Sequence, residues 1–324
     1  MSTVPFVDMH CDTLMQSWFR HKKDIYRTST MLDVEKLQRG GGKAQFFAIY
    51  LQSMRLKRVL GPLLNDDRYI ETLMKTFYNT LQKHGDVVAY AGNYQELEKN
   101  WQEGKVSAFL SMEDGRAVEG KMEKLQEYYD KGVRMLGLTW NFANCFGYPN
   151  SPDATIMKKG LSAFGKEAVE EMNRLGMIVD VSHLSDGGFW DVVSISKKPF
   201  VASHSDARAL CNHTRNLSDK MIRAVGEAGG VIGMNQCPEF LYPDSRENRI
   251  EDMVKHLLHI RNVGGREVAA LGSDFDGITG RFAIEGPHQY QKLAGALAKA
   301  GLSGEEIDEI FFKNVERVIK DVMK

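Results

Sequence analysis

The chain has 324 residues, of which 43% are hydrophobic, and its formal net charge at pH 7 is −1. Its length would allow two domains, but a single α/β barrel spanning 1–324 commonly reaches this size. The balance of charges offers no basic surface for nucleic acid and no acidic tail for a protein partner.

Cysteine usage and the N-terminus indicate a cellular compartment. The four cysteines, Cys11, Cys145, Cys211 and Cys237, form no CxxC pair, which favours reduced thiols in a reducing environment. The opening MSTVPFVDMH lacks the basic and apolar parts of a signal peptide, and no apolar run approaches the roughly 18 residues of a membrane helix. We therefore expect a cytoplasmic protein without membrane contact.

Short apolar runs that end in polar residues recur along the whole chain, and each predicts a buried strand. The runs are PFVDMHCD (5–12), KAQFFAIYLQ (43–52), VVAYAG (87–92), KVSAFLSMEDG (105–115), GVRMLGLTWN (132–141), GMIVDVSH (176–183), PFVASHSD (199–206), GGVIGMNQ (229–236) and EVAALGSDFDG (267–277). VVAYAG is the weakest of the nine and fits within the connection after the second strand. Eight strands then remain.

Amphipathic segments alternate with these runs, because apolar residues recur in them at three- and four-residue spacing. They cover 66–84, 122–131, 163–175, 219–228, 250–263 and 305–323. Ser218 and Ser303 are N-cap signals, and Gly176 is a C-cap signal. Eight strand–helix units predict a TIM-type (β/α)8 barrel of the amidohydrolase kind, with a doubly wound open sheet as the alternative.

Polar side chains concentrate at the carboxyl ends of the runs, the face on which barrel enzymes build their active sites. They are His10, Asp12, Glu113, Trp140, Asn141, His183, His204, Asn235, Asp274 and Asp276. A closed barrel makes the first and last strands neighbours, whereas an open sheet separates them. This distribution therefore favours the barrel.

His10 and Asp12 are two residues apart, so in an extended strand their side chains share one face. Asp8 shares that face if the strand continues through it, while Cys11 points the other way and is expected to pack. An imidazole beside a carboxylate is the beginning of a metal site. The alternative is an ordinary polar loop after a strand.

His183 and His204 occupy equivalent places on successive strands, which weakens the alternative that each merely bonds a backbone carbonyl. Glu113 follows FLSM, where an unpaired carboxylate is costly to bury, and Asp114 is the better candidate for a cap or ion pair. Together with Asp274 and with His10 and Asp12 after the first strand, these residues offer more ligands than one tetrahedral zinc needs. They suit two metals ~3.5–4 Å apart, bridged by a carboxylate and a water, and therefore hydrolysis.

The strings VDMHCDTL, SMEDG, DVSH, ASHSDAR, CNHTRN and GSDFDG, in this order, resemble the membrane dipeptidase (renal dipeptidase) family of zinc peptidases in the amidohydrolase superfamily. The resemblance spans nearly the whole chain. It implies two Zn²⁺ per chain. His10 and Asp12 would bind the first ion and Glu113 would bridge both, while His183 and His204 would bind the second.

The resemblance also implies two residues that act on the substrate. Asp274 would take a proton from the bridging water as it attacks and deliver one to the leaving amine. Arg215 would hold the C-terminal carboxylate, whose geometry the guanidinium fork matches. Without the family, a solvated surface arginine is the simpler interpretation of Arg215. Asp276 is expected to be structural.

One position departs from the family pattern. Family members often have a histidine after the fourth strand, in an LTH string, but here LTWN places Trp140 there. An indole nitrogen cannot accept a hydrogen bond, and the bulk of the ring suits shaping a pocket or packing at the barrel top. Stabilisation of the oxyanion would then fall to zinc alone, or to zinc with Asn141 or Asn144.

The sequence thus predicts a binuclear zinc dipeptidase that needs a free C-terminal carboxylate and accepts a D-residue there. The alternatives are another amidohydrolase reaction, such as lactone or β-lactam hydrolysis, and a metal-binding scaffold without activity. Manganese, cobalt or iron also suit such ligands. Met221, Phe311 and Phe312 are candidates for a homodimer contact, with core packing as the alternative. The side-chain pockets are expected in the loops 52–65, 144–159 and 237–249.

Overall fold

The computed structural model describes residues 3–51 and 65–324, so all but the last residue of the predicted pocket loop 52–65 lies outside the described residues. The described strands are β1 Phe6–Asp8, β2 Gly42–Tyr50, β3 Val88–Tyr90, β4 Val106–Glu113, β5 Val133–Gly137, β6 Ile178–Asp180, β7 Val201–Ala202, β8 Val231–Met234 and β9 Ala269–Leu271. All of their pairings are parallel.

Eight of these strands close into a ring. β1 pairs with β2 and β9, β2 pairs directly with β4, and the remaining strands pair in sequence from β4 to β9. Because every ring strand has two neighbours, the sheet is a closed barrel and the predicted TIM-type fold is confirmed. The open doubly wound sheet is excluded.

The ninth strand, β3, lies outside the ring, as the weakness of VVAYAG predicted. It pairs with β4 over Val106–Ala108, whereas β5 pairs with β4 from Leu110 onward. Since β2 occupies the other edge of β4, β3 shares an edge with β5 and belongs to the connection between β2 and β4.

The α-helices cover Thr13–Phe19, Val34–Gly40, Asp66–Lys83, Tyr94–Gln102, Met122–Asp130, Ala154–Met157, Ala163–Leu175, Asp186–Ile195, Asp219–Glu227, Pro238–Leu241, Ile250–Gly264, Gln291–Lys299, Gly304–Asp308 and Asn314–Val322. Five of the six predicted helices agree to within one residue. The sixth, 305–323, contains a π-helical turn at Glu309–Lys313. Ser218 and Ser303 cap their helices as predicted, and Ser303 forms a capping box with Glu306.

The core has two layers. Inside the barrel, each of the eight ring strands contributes at least one buried apolar side chain: Val7, Phe46, Phe109, Met135, Ile178, Val201, Val231 and Ala270. A larger cluster packs between the sheet and the helices. Met221 and Phe311 are buried in it, so the homodimer contact suggested for these two residues is wrong, and Phe312 is partly buried against the core. Among the described helices, none is long and apolar enough to cross a membrane.

Candidate metal centre and active site

The closed barrel brings six of the predicted site residues together at the carboxyl ends of the strands. They are His10 and Asp12 after β1, Glu113 at the end of β4, His183 after β6, His204 after β7 and Asp274 after β9. All six are at most 9% exposed. His10 Nε2 lies 3.9 Å from both Asp12 Oδ2 and Asp274 Oδ1.

The carboxylate of Glu113 lies between the imidazole of His10 and those of His183 and His204. Its Oε2 lies 3.5 Å from His10 Nε2. Its Oε1 lies 3.0 Å from His183 Nε2 and 3.6 Å from His204 Nε2. Burial acts to raise the pKa of Glu113, but the neighbouring His10 imidazole holds it well below its ordinary value. The group is therefore an ionised carboxylate with one oxygen directed to each side.

The chain leaves β1 earlier than strand alternation predicts. Asp8 ends the strand, and its Oδ1 accepts a hydrogen bond from the backbone N–H of His10. Its Oδ2 accepts one from the Tyr290 hydroxyl, so Asp8 lies outside the cluster. Cys11 packs in the core, as predicted. Asp12 occupies an N-cap position, yet its carboxylate accepts no capping hydrogen bond and contacts His10 instead.

Two of the site residues have left-handed backbone conformations, which non-glycine residues seldom adopt. His183 has φ of 67° and Asp274 has φ of 62°. Such backbone costs about 1–3 kcal/mol and persists where the surrounding structure holds it, often at functional sites. Asp276 also has positive φ, but it accepts hydrogen bonds from the Thr13 hydroxyl and the Met31 backbone N–H. Asp276 is thus structural, as predicted.

The hydrogen bonds at the Nδ1 atoms define the histidine tautomers. His183 Nδ1 lies 3.0 Å from Asn141 Oδ1, an acceptor, and His204 Nδ1 lies 2.7 Å from the Ser203 hydroxyl. That hydroxyl donates its own hydrogen to Asp180 Oδ2 at 2.5 Å, so its oxygen accepts from His204. Burial lowers the pKa of His183 to about 4 and that of His204 well below its ordinary value. Both rings are therefore neutral, with lone pairs on Nε2.

These features fit a bound cation. The two lone-pair-bearing Nε2 atoms of His183 and His204 lie 3.1 Å apart. Within residues 3–51 and 65–324, His10 Nε2 and Asp12 Oδ1 are buried without a hydrogen-bond partner, which is rare unless an ion supplies the contact. Imidazole nitrogens and carboxylate oxygens are the ligands that zinc and similar divalent metals take. Ligand atoms lie within 4.8 Å of one another in each of two sets, His10 with Glu113 and His204, and His10 with Asp12 and Asp274.

Arg215 is buried, so the interpretation as a solvated surface residue is wrong. Its Nη2 donates to the His204 carbonyl at 3.1 Å, and its Nη1 donates to the Ser205 hydroxyl at 3.4 Å. Its Nε has no partner, and no carboxylate in residues 3–51 and 65–324 forms an ion pair with it. A buried guanidinium without a counterion is costly, and a bound anion would offset that cost.

A cavity of about 670 Å³ adjoins the cluster and is lined by both Arg215 and His183. Asn141 also lines it. Trp140 does not, and its ring instead packs 5.1 Å from the Tyr50 ring and 6.1 Å from that of His183. Trp140 is thus part of the wall between the cluster and the second strand.

The side chain of Asn144 forms hydrogen bonds that hold its own loop in place. Its amide donates to Asp114 Oδ1 and to the Leu138 carbonyl, and its oxygen accepts from the Phe146 backbone N–H. The role suggested for Asn144 in stabilising an oxyanion is therefore wrong. Asp114 caps the turn that follows and pairs with Arg116, as predicted.

Three polar residues with partners in the cluster received no role from the sequence. Asn235 donates to Asp274 Oδ2 at 2.9 Å. Asp180 and Ser203 support His204. The strings DVSH and SHSD do place an aspartate and a serine close to the two histidines, but strand patterns do not reveal which of them meet.

The chain is similar to known proteins over its full length. Residues 1–324 match the family model of membrane dipeptidase, peptidase family M19. The dipeptidase aclJ of Aspergillus oryzae is 28% identical, with 99% of this chain and 79% of that protein aligned. An uncharacterized protein in the pqqA 5′ region of Klebsiella pneumoniae is 36% identical over 68% of this chain and 84% of its own length.

Solved structures show the same architecture over almost the full length. A dipeptidase described as a family M19 metallopeptidase superposes with a TM-score of 0.89 at 26% identity, covering 99% of both chains. A metallopeptidase from Rhodobacter sphaeroides, liganded with a phosphinate mimic of L-Ala-D-Ala, gives 0.86 at 26% identity, covering 99% of this chain and 100% of the other. The chain belongs to the membrane dipeptidase family, peptidase family M19, and is a hydrolase acting on peptide bonds.

Proposed function

We propose that the chain is a binuclear zinc dipeptidase, acting as one barrel domain, that hydrolyses L-Xaa-D-Xaa dipeptides with a free C-terminal carboxylate. The position of Glu113 carries the proposal, because its Oε2 faces His10 and its Oε1 faces His183 and His204. His10 and Asp12 would hold one ion, His183 and His204 the other, and Glu113 both. Bound ions of this kind polarise a carbonyl and make a water acidic enough to act near neutral pH.

Asp274 is the residue that moves the proton in this proposal. Its Oδ2 is held by the Asn235 amide at 2.9 Å, while its Oδ1 is directed to the cluster, 3.9 Å from His10 Nε2. A carboxylate fixed in this way accepts a proton from the attacking water and returns one to the leaving amine. Asn235 thus orients the group that performs general acid–base catalysis.

Arg215 would bind the C-terminal carboxylate of the substrate. Its buried guanidinium lines the adjoining cavity, bonds the His204 carbonyl and has no carboxylate partner in the part of the chain that the structure describes. A dipeptide carboxylate would provide the missing counterion, and the cavity would receive the C-terminal side chain. Acceptance of a D-residue is supported by the Rhodobacter sphaeroides relative and its L-Ala-D-Ala mimic.

The test is an activity screen of the metal-loaded chain with metal content measured in the same samples. Zinc-, manganese- and cobalt-loaded protein is assayed on matched L,L and L,D dipeptides and on the same dipeptides amidated at the C-terminus. We expect two metals per chain, hydrolysis of L,D dipeptides and loss of activity on amidation. Two metals without dipeptide cleavage would move the function to another amidohydrolase reaction, such as lactone or β-lactam hydrolysis. No hydrolysis of any of these substrates would indicate a metal-binding scaffold.

A further inference from the structure

Two aspartates that end strands connect neighbouring strands in the same way. Asp8 Oδ1 accepts a hydrogen bond from the backbone N–H two residues further along, at 3.1 Å, and one from the Ser273 N–H, at 3.0 Å. Asp180 Oδ1 likewise accepts from the N–H two residues further along and from the Ser203 N–H, both at 2.9 Å. One carboxylate thus joins the ends of β1 and β9, and the other joins those of β6 and β7.

The second oxygens of the two carboxylates differ in what they contact. Asp8 Oδ2 accepts from the Tyr290 hydroxyl, and both side chains are fully buried. Asp180 Oδ2 accepts from the Ser203 hydroxyl at 2.5 Å, and the same hydroxyl lies 2.7 Å from His204 Nδ1. The connection at Asp180 therefore continues into an imidazole of the metal cluster, whereas the one at Asp8 does not.

We propose that Asp180 and Ser203 form a relay that holds His204 in the Nδ1–H tautomer and leaves the Nε2 lone pair for a metal ion. The Ser203 hydroxyl donates its single hydrogen to Asp180 Oδ2, so the Ser203 oxygen must accept from His204. Both residues are positioning residues, since they act through His204. The inference rests on the proposed function only in taking the ligand of Nε2 to be a metal ion.

His183 has weaker support for the same tautomer. Its Nδ1 contacts Asn141, whose side chain is exposed in the loop after β5, whereas Asp180, Ser203 and His204 are all at most 4% exposed. A buried chain of hydrogen bonds fixes proton positions more firmly than a single bond to an exposed amide. His204 is therefore the ligand whose proton position the fold determines.

An Asp180→Asn substitution reverses the relay. The oxygen of the new asparagine side chain still has to accept from the two backbone N–H groups. Its amide nitrogen therefore faces the Ser203 hydroxyl and donates to it. The Ser203 hydroxyl then donates to His204 Nδ1 at 2.7 Å rather than to its more distant neighbour, Ser182 Oγ at 3.4 Å, which moves the ring hydrogen to Nε2 and weakens metal binding. Asp8→Asn is the matched control, because its amide nitrogen would face the Tyr290 oxygen and no imidazole.

The experiment compares wild type, Asp180→Asn, Ser203→Ala and Asp8→Asn. The His204 tautomer is assigned by NMR of metal-free protein labelled with 15N in the histidine rings, and zinc affinity is measured by competition with a chelator. We expect Asp180→Asn to convert His204 to the Nε2–H form and to weaken the second zinc roughly 10- to 100-fold. Ser203→Ala should give a mixture of tautomers, and Asp8→Asn should keep the wild-type tautomer and stoichiometry.

The inference is overturned if Asp180→Asn keeps the Nδ1–H tautomer and the wild-type zinc affinity. It is also overturned if Asp8→Asn weakens the second zinc equally, because the effect would then arise from the strand ends in general. If Asp180→Asn does not fold by circular dichroism, Ser203→Ala decides by the same two readouts. If the wild type binds two metals but cleaves no dipeptide, only the proposed function is contradicted. The inference about His204 stands, because the tautomer is measured without substrate.

Discussion

His183 and His204 direct their Nε2 atoms at each other across 3.1 Å, and the hydrogen bonds at the two Nδ1 atoms leave a lone pair on each Nε2. Two lone pairs at this distance repel, and both rings are buried, so water cannot separate them. The nearest negative charge is Glu113 Oε1, which adds to the electron density at this point. The protein therefore has a site that only a cation makes favourable.

Glu113→Gln should remove most of the bound metal. The amide loses the negative charge and presents an oxygen to only one of the two donor groups that the carboxylate now faces. Metal content after gel filtration, measured by elemental analysis, is the readout. Glu119→Gln is the control, because the ion pairs of Glu119 among the described residues are surface pairs with Lys121 and Lys124. Retention of two metals per chain in Glu113→Gln would contradict the bridging role.

Asp274→Asn should reduce kcat by about 10²–10⁴-fold while metal content stays close to that of wild type. The amide can keep the contact with Asn235 but cannot take a proton at neutral pH. Asp276→Asn is the same change two residues away, at a carboxylate bonded to Thr13 and Met31. It should lower the unfolding temperature and leave the kcat of the folded protein near wild type. Equal kcat losses in the two variants would remove the special role of Asp274.

Arg215→Lys should lower kcat/KM for dipeptides by about 10–100-fold, the range expected when a charged hydrogen bond is lost. Lysine keeps the charge but not the two-pronged geometry. Dipeptide amides lack the carboxylate and are already poor substrates of the wild type, so their residual kcat/KM should show no comparable further loss. Arg208→Lys is the control, because Arg208 forms a double hydrogen bond with Asp186 and does not line the cavity. A similar loss on acids and amides would argue against carboxylate binding.

Trp140→His should change the ranking of dipeptide substrates more than it changes metal content. The indole packs against Tyr50 and Phe142 and near His183 but makes no hydrogen bond to the cluster within the described residues. A smaller imidazole opens space beside the site and adds an acceptor. The ratio of kcat/KM values across a dipeptide panel measures the effect. An unchanged ranking would show that Trp140 is only packing.

His256 should make stability depend on pH below neutrality. It is buried, donates from Nε2 to the Leu241 carbonyl and accepts at Nδ1 from the Ala207 N–H. Burial lowers its pKa from 6.5 to about 4. The unfolded chain therefore binds a proton where the folded protein does not, and stability falls as the pH drops from 6.5 to 4, by at most about 3 kcal/mol.

Urea unfolding at about pH 7.5 and about pH 4.5 measures this loss in wild type and in His256→Gln. Glutamine keeps a donor and an acceptor but does not titrate, so its stability should fall less over the same interval. Groups remote from His256 titrate equally in both proteins and cancel in the difference, so what remains is the contribution of His256 and of its contact with Asp206 Oδ1 at 3.9 Å. Equal losses in wild type and variant would show that His256 keeps its ordinary pKa.

Much of this architecture follows from the sequence alone, because the signals are local. The period of apolar residues distinguishes strands from helices, and it placed five of six helices to within one residue. The polar residues that end the strands indicated the cluster, since parallel strands bring their carboxyl ends to one face of a barrel. The motif strings indicated the family, which the match over residues 1–324 confirms.

The tertiary structure decided which polar groups meet. Asp8 and Asn144 looked as available as Asp12 and Asn141, but one is bound by Tyr290 and the other by its own loop. The string CNHTRN likewise does not indicate that Arg215 is buried.

The tautomer of His204 shows the same limit most clearly. It depends on a hydrogen bond between Asp180 and Ser203, which lie 23 residues apart on adjacent strands. Periodicity records which face of an element is buried, whereas a hydrogen bond between two elements exists only once barrel closure has brought their ends into register.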